Sequence, residues 1–243
     1  MRYLLTLAFE GSVFCGWQVQ PNGYSVQQAL CEAAEKIFSK KTAITGCSRT
    51  DSGVHAKEFC CHFDAETNIS CERLPFAFNN NLPKEISVSD CVPVAPDFHA
   101  RYSCKGKKYI YRILNSEHTD PFEEGRAMWF KYPLDIDAMN MAAADIIGEH
   151  DFSAFCAAGA TVEDKVRTVK SCEVLKKDNI VEISVSANGF LYNMVRIIVG
   201  TLIDVGTGRT AVEDIKKIIS SKDRTLAGVT APAHGLYLSD VYY

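Results

Sequence analysis

The chain has 243 residues, 47% of them hydrophobic and 23% charged, a composition that excludes intrinsic disorder and allows one large domain or two modest ones. Its formal net charge of −4 gives no global surplus of cations, so any nucleic-acid site has to be local. The longest strongly apolar stretch, residues 191–205, contains Asn193, Arg196 and Asp204, which excludes a charge-poor membrane span of about 20 residues; residues 1–10 lack the charged head and cleavage site of a secretory signal, so a cytoplasmic protein is expected.

Tyr3, Leu5, Leu7 and Phe9 alternate with Leu4, Thr6 and Ala8, which predicts a first strand with both faces covered. Ser25 and Gln28 form a capping-box pattern ahead of Val26, Leu30, Ala33 and Ile37 at helical spacing, so a helix follows. Two short strands are predicted at residues 42–47 and 58–63, and the polar segment SRTDSGVHA (48–56) reads as the loop between them. The second half opens with a strand at 107–114. A helix at about 136–147 and a hairpin pairing 168–176 with 180–187 across Asp178-Asn179 come next. Helices at 190–204 and 212–220, the latter capped by Thr210, precede a last strand at 236–241. This order predicts an α+β protein of two similar subdomains, residues 1–104 and 105–243, each a mixed or antiparallel sheet covered by helices on one side.

The ten cysteines include no Cys-x-x-Cys pair of the metal-knuckle kind, so they read as free thiols, with Cys60 and Cys61 as small core hydrophobes in a reducing compartment. His55, His62 and His99 form no helical i, i+4 pair and no finger-like spacing. They read as structural or RNA-contacting, His62 as a hydrogen-bonded sheet histidine, and no metal is expected. One window is basic: RYSCKGKKYIYR (101–112) brings together Arg101, Lys105, Lys107, Lys108 and Arg112 with no acid among them, which on its own describes a solvated basic strand.

Chemistry concentrates in SRTDSGVHA, a polar, glycine-containing loop between strands. Asp, Ser and Gly are ordinary turn formers, so a plain turn is one reading. Asp51-Ser52-Gly53 also matches an aspartic-protease triplet, but it occurs once, and Arg49 beside it favours full ionisation over a shared proton. Arg196 is the only cation in the apolar stretch 191–203 and needs a partner: a carboxylate, Asp204 or the solvent surface. In the strand 107–113, Lys107, Tyr109 and Tyr111 share a face, which sets a cation beside an aromatic.

SRTDSGVHA resembles the GRTDAGVHA segment of the tRNA pseudouridine synthase A family. The likeness extends in family order through FCGWQVQ (14–20), SVQQAL (25–30), DFHARYS (97–103), KKYIYRI (107–113), NGFLYNMVRIIVG (188–200), KDRTLAG (222–228) and HGLYL (234–238). The resemblance implies an isomerase that converts uridine to pseudouridine in the anticodon stem-loop of tRNA, a homodimer, no cofactor, and two subdomain sheets meeting at a central basic cleft. It also implies that Asp51 is the catalytic aspartate, Arg49 helps displace the base and hold RNA, Tyr109 stacks on the flipped uracil, Arg196 pairs with the aspartate and Leu236 lines the pocket. Lys107, on the face of Tyr109, is added as an RNA contact. Ser48 and Ser52 depart from the family's Gly and Ala; both are small, so altered loop packing is expected. A catalytically silent RNA-binding module on the same fold is the competing class.

Overall fold

The computed structural model describes residues 1–159 and 162–243. In chain order the elements are β1 (Arg2–Phe9), α1 (Val26–Phe38), β2 (Ile44–Gly46), β3 (His55–Asp64), α2 (Leu74–Asn79), β4 (Ile86–Val94), β5 (Gly106–Leu114), β6 (Met128–Trp129), α3 (Ile136–Ala144), β7 (Gly148–Asp151), β8 (Val166–Lys177), β9 (Ile180–Ala187), α4 (Met194–Gly206), α5 (Asp214–Ser221) and β10 (Leu236–Tyr242). They form two compact units, Met1–Lys105 with Tyr237–Tyr243, and Gly106–Leu236. Subdivision by chain order puts the last strand in the second half; the parallel pairing of Tyr237 and Leu238 with His55 and Ala56 draws it into the first.

In the first unit β1 is the centre of an antiparallel sheet, flanked by β3 and β4. Tyr3, Leu5, Leu7 and Phe9 are buried while Arg2, Leu4, Thr6 and Ala8 are half-buried, so one face of β1 is sealed rather than both. Helix α1 lays Val26, Ala29, Leu30, Ala33 and Ala34 into the core. The Ser25 hydroxyl accepts from the Gln28 amide at 3.2 Å, a cap worth ~1 kcal/mol. The Gln28 side chain reaches forward to Glu32, so only half of the capping box forms. Cys60 and Cys61 lie in the buried run of β3.

The second unit is an antiparallel sheet in the order β5, β9, β8, β7, with β6 parallel to β5. The hairpin turns at Asp178, whose φ of +53° an Asp tolerates better than most residues. Helix α4 buries every residue except Arg196 and Asp204. It starts at Met194, not at residue 190, because Asn193 takes a left-handed φ of 59° that stops the helix from extending backwards. The Thr210 cap does not form; Glu213 occupies the N-cap of α5 with no side-chain cap bond, and the turn before it closes through the Ala211 and Val212 carbonyls.

Candidate active site

Residues 48–54 form an irregular loop between β2 and β3, and the segment 11–17 fixes its shape. The Trp17 amide donates to the Thr50 carbonyl at 3.2 Å. Gly16, at φ +95°, allows this approach, since a Cβ there would lie 2.5 Å from the Thr50 carbonyl oxygen. The Ser52 hydroxyl donates to the Phe14 carbonyl at 3.2 Å, and the Val54 amide closes the turn on the Asp51 carbonyl at 3.2 Å. Trp17 is anchored in turn, stacked on Phe59 at 4.2 Å over Gly46, where any Cβ would strike its ring. Asp51 is thus half-buried on a braced loop, with Arg49 exposed two residues earlier. The Thr50 hydroxyl oxygen is buried and meets no hydrogen-bond partner among the described residues.

His55 ends this loop. Its Nδ1 accepts from the Gly11 amide at 3.0 Å and its ring stacks on Tyr237 at 4.6 Å. His62 is a sheet histidine in β3, its Nδ1 accepting from the Ala100 amide at 3.1 Å. His99 Nδ1 accepts from the Arg101 and Tyr102 amides. Each of these nitrogens accepts from a backbone amide, so all three histidines have a structural role, as expected for His62.

In the second unit β5 turns Lys107, Tyr109 and Tyr111 to one buried face. Tyr109 packs edge-on against Phe190 at 5.0 Å. Tyr111 is a core residue: its hydroxyl donates to the Pro232 carbonyl at 2.8 Å, and burial holds it well above the ordinary phenol range, with the Arg196 charge opposing. Gly235 sits against the Tyr111 ring, where a Cβ would come within 2.6 Å, and Leu236 follows it, buried.

Arg196 is half-buried on α4 and oriented by backbone and side chain together. Its Nε donates to the Ala231 carbonyl at 2.6 Å and its Nη1 to Asn193 Oδ1 at 3.0 Å, while the Ala231 amide donates back to the Arg196 carbonyl. Asp204, one possible partner in the sequence, is instead bound to Arg209 at 2.8 Å. The segment 228–231 runs hard against α4: the Gly228 amide donates to Thr201 Oγ1 at 2.9 Å, and a Cβ on Gly200 would lie 1.8 Å from the Val229 carbonyl oxygen.

A family model described as tRNA pseudouridine synthase matches residues 6–103 and 142–243. The chain belongs to that family. Proteins named tRNA pseudouridine synthase A from Staphylococcus aureus strains bovine RF122 / ET3-1 and MRSA252 are 44% identical over 242 residues, covering 100% of this chain and 91% and 92% of theirs. That of strain JH1 is 43% identical, with 100% and 91% covered.

Several segments that carry the family resemblance act here as scaffold. FCGW braces the Asp51 loop, and KDRTLAG folds so that Asp223 accepts from the Thr225 amide at 2.8 Å and Arg224 bonds the Ala227 carbonyl and Thr230 hydroxyl, setting Gly228 against the helix. Ser52 adds a bond to Phe14 that an alanine could not make. Asn193 and Ala231 were not singled out in the sequence as partners of Arg196. An Asn just ahead of a helix is a cue for a left-handed residue, but the carbonyl of Ala231 carries no sequence signal at all.

Proposed function

We propose that Asp51 is the catalytic carboxylate with which this chain isomerises uridine to pseudouridine in the anticodon stem-loop of tRNA. Family membership carries the activity class; the braced half-buried loop that holds Asp51 is the observation that supports the residue. The reaction breaks the bond from the ribose to N1, turns the uracil and rejoins it through C5, releasing the C5 hydrogen as a proton. Nothing is oxidised and no group comes from a second substrate, so the balance calls for no cofactor. An ionised carboxylate can serve as nucleophile or base within that sequence.

Arg196 is proposed as the guanidinium that pairs with this carboxylate. The ties from Asn193 and Ala231 support that role, since they hold the guanidinium in one orientation. Tyr109 is proposed to stack on the extruded uracil, with Leu236 lining the pocket and Lys107 and exposed Arg49 meeting RNA. Action as a homodimer, in the cytoplasm where tRNA is processed, completes the reading.

The test uses tRNA tritiated at uracil C5. Wild-type protein should release tritium, and Asp51→Asn should bind the tRNA while releasing at least about 1,000-fold less. Release by Asp51→Asn at the parental rate would overturn the assignment, and tRNA binding without release by the wild type would identify a silent RNA-binding module.

A further inference from the structure

Gln27, half-buried in the first turn of α1, ties three pieces of the first unit together. Its amide donates to the Trp17 carbonyl at 3.0 Å, beside the bond from the Val26 amide to the Gly16 carbonyl at 3.2 Å. Two donors that a helix start leaves free are thus directed at the segment 16–17. The side chain reaches further. Its Oε1 accepts from the Val19 amide at 3.0 Å and its Nε2 donates to the Ile44 carbonyl at 2.8 Å. Ile44 is buried and opens β2, the strand that runs into the loop of Asp51. Packing supports the same joint, because the Trp17 indole lies over Gly46 of β2 and stacks on Phe59.

The joint bears on Asp51 through one backbone bond: the Trp17 amide donates at 3.2 Å to the carbonyl of Thr50, the residue before it. Gln27 holds the segment on both sides of that contact, at the Trp17 carbonyl directly and at the Val19 amide two residues on. Without the carboxamide the segment 17–19 would be free to move relative to β2, and a shift of about 1 Å at a reacting group can cost about 100-fold in rate. A carboxamide suits the place because one end only accepts and the other only donates, matching the N–H of Val19 and the carbonyl of Ile44. An ionised glutamate of the same shape only accepts and would turn a negative oxygen on the Ile44 carbonyl, whereas its protonated form restores the donor.

We propose that Gln27 is a positioning residue for the isomerisation, holding the segment 16–19 against β2 so that Trp17 keeps Thr50, and with it Asp51, in place. This rests on Asp51 being the catalytic carboxylate. Gln27 acts through Trp17 and not on the reacting atoms, so its loss should slow the chemical step and spare tRNA binding.

The experiment measures Kd by gel shift, and kcat and KM by tritium release from full-length tRNA, for Gln27→Ala and Gln27→Glu at about 20 °C below each variant's own Tm, where the protein is folded. Gln27→Ala should lower kcat by about 10- to 100-fold, with Kd and KM within about two-fold of the parent's. Gln27→Glu should be as slow at about pH 8. Its kcat relative to the parent at the same pH should climb several-fold by about pH 5.5, as the introduced carboxyl, half-buried and facing a carbonyl, takes up a proton and can donate to Ile44. The ratio for Gln27→Ala should stay flat over that range. A carboxamide that only stabilised the fold would lower Tm in both variants and leave kcat parental in the folded protein. Parental kcat in both variants, a raised KM at unchanged kcat, or a pH-independent ratio for Gln27→Glu overturns the positioning role. If Gln27→Ala does not fold, the pH dependence of Gln27→Glu decides alone. An active Asp51→Asn would overturn the catalytic assignment on which the role rests, whereas an inactive Asp51→Asn beside a fully active Gln27→Ala removes Gln27 alone.

Discussion

Gly200 and Gly228 meet backbone to backbone, and neither has room for a methyl group: the atoms in the way are main-chain carbonyls and amides that cannot rotate aside. Gly200→Ala should cost about 2 to 3 kcal/mol by overpacking, a fall in Tm of roughly 4 to 12 °C. It should also cut tritium release at permissive temperature, because the segment it displaces carries the Ala231 carbonyl that orients Arg196. A parental Tm would mean that the two glycines do not limit the approach of this segment. Thr50 offers the opposite case. Its buried hydroxyl has no partner among the described residues, so Thr50→Val should leave Tm unchanged or raise it. If release falls while Tm rises, the hydroxyl is used in turnover; a lower Tm would show that it is bonded in solution.

At the level of elements, β3 links the loop of Asp51 to the segment that carries Tyr102, the latter through His62. Burial, then the nearby Arg2 charge and His99, hold the His62 imidazole below its ordinary value, with Asp64 opposing. As pH falls through about 6.5 the unfolded chain takes up a proton that the folded imidazole refuses, so stability drops until the folded group titrates as well. His62→Asn keeps an acceptor for the Ala100 amide and cannot charge. Its urea midpoint should therefore change less between pH 7 and pH 5 than the wild type's, and equal changes would remove His62 as a source of acid sensitivity. The strands of the hairpin, β1 and β5 are legible because alternation and a two-residue turn are local signals, whereas β3 shows only as a short apolar run beside a polar loop. β4 carries no such signal, since ISVSDCVPV mixes polar residues and a proline as an edge strand can. α4 starts four residues later than the periodicity predicts, because apolar spacing continues through Phe190 and Leu191, while the single left-handed residue that ends it has no periodicity to reveal. Among the candidate residues, Asp51 and Arg196 stand out in the sequence as charges in marked surroundings; of the groups that orient them, the Asn193 and Ser52 side chains lie close in sequence, whereas the Ala231 and Phe14 carbonyls are backbone atoms brought near by the fold, to which sequence patterns are blind.

Across the whole chain the two compact units do not follow chain order, since the last strand belongs with the first. Tyr237 and Leu238 pair with the start of β3 directly after the Asp51 loop. The Val241 amide donates to Glu58 Oε1 at 3.1 Å, the Lys105 amide to the Tyr242 carbonyl at 2.7 Å, and the Tyr243 hydroxyl holds Ala100. Deleting residues 237–243 strips β3 of a hydrogen-bonded neighbour and the Tyr102 segment of two anchors, whereas the β8–β9 hairpin loses nothing from its ladder. Hydrogen exchange read by mass spectrometry should then quicken in residues 53–60 and 97–105 and stay near parental in residues 166–187, because exchange follows the local opening free energy. Equal quickening in both regions would mean that the two units unfold as one and that the last strand stabilises the chain globally; no change in residues 53–60 would mean that β10 adds nothing to the sheet it joins.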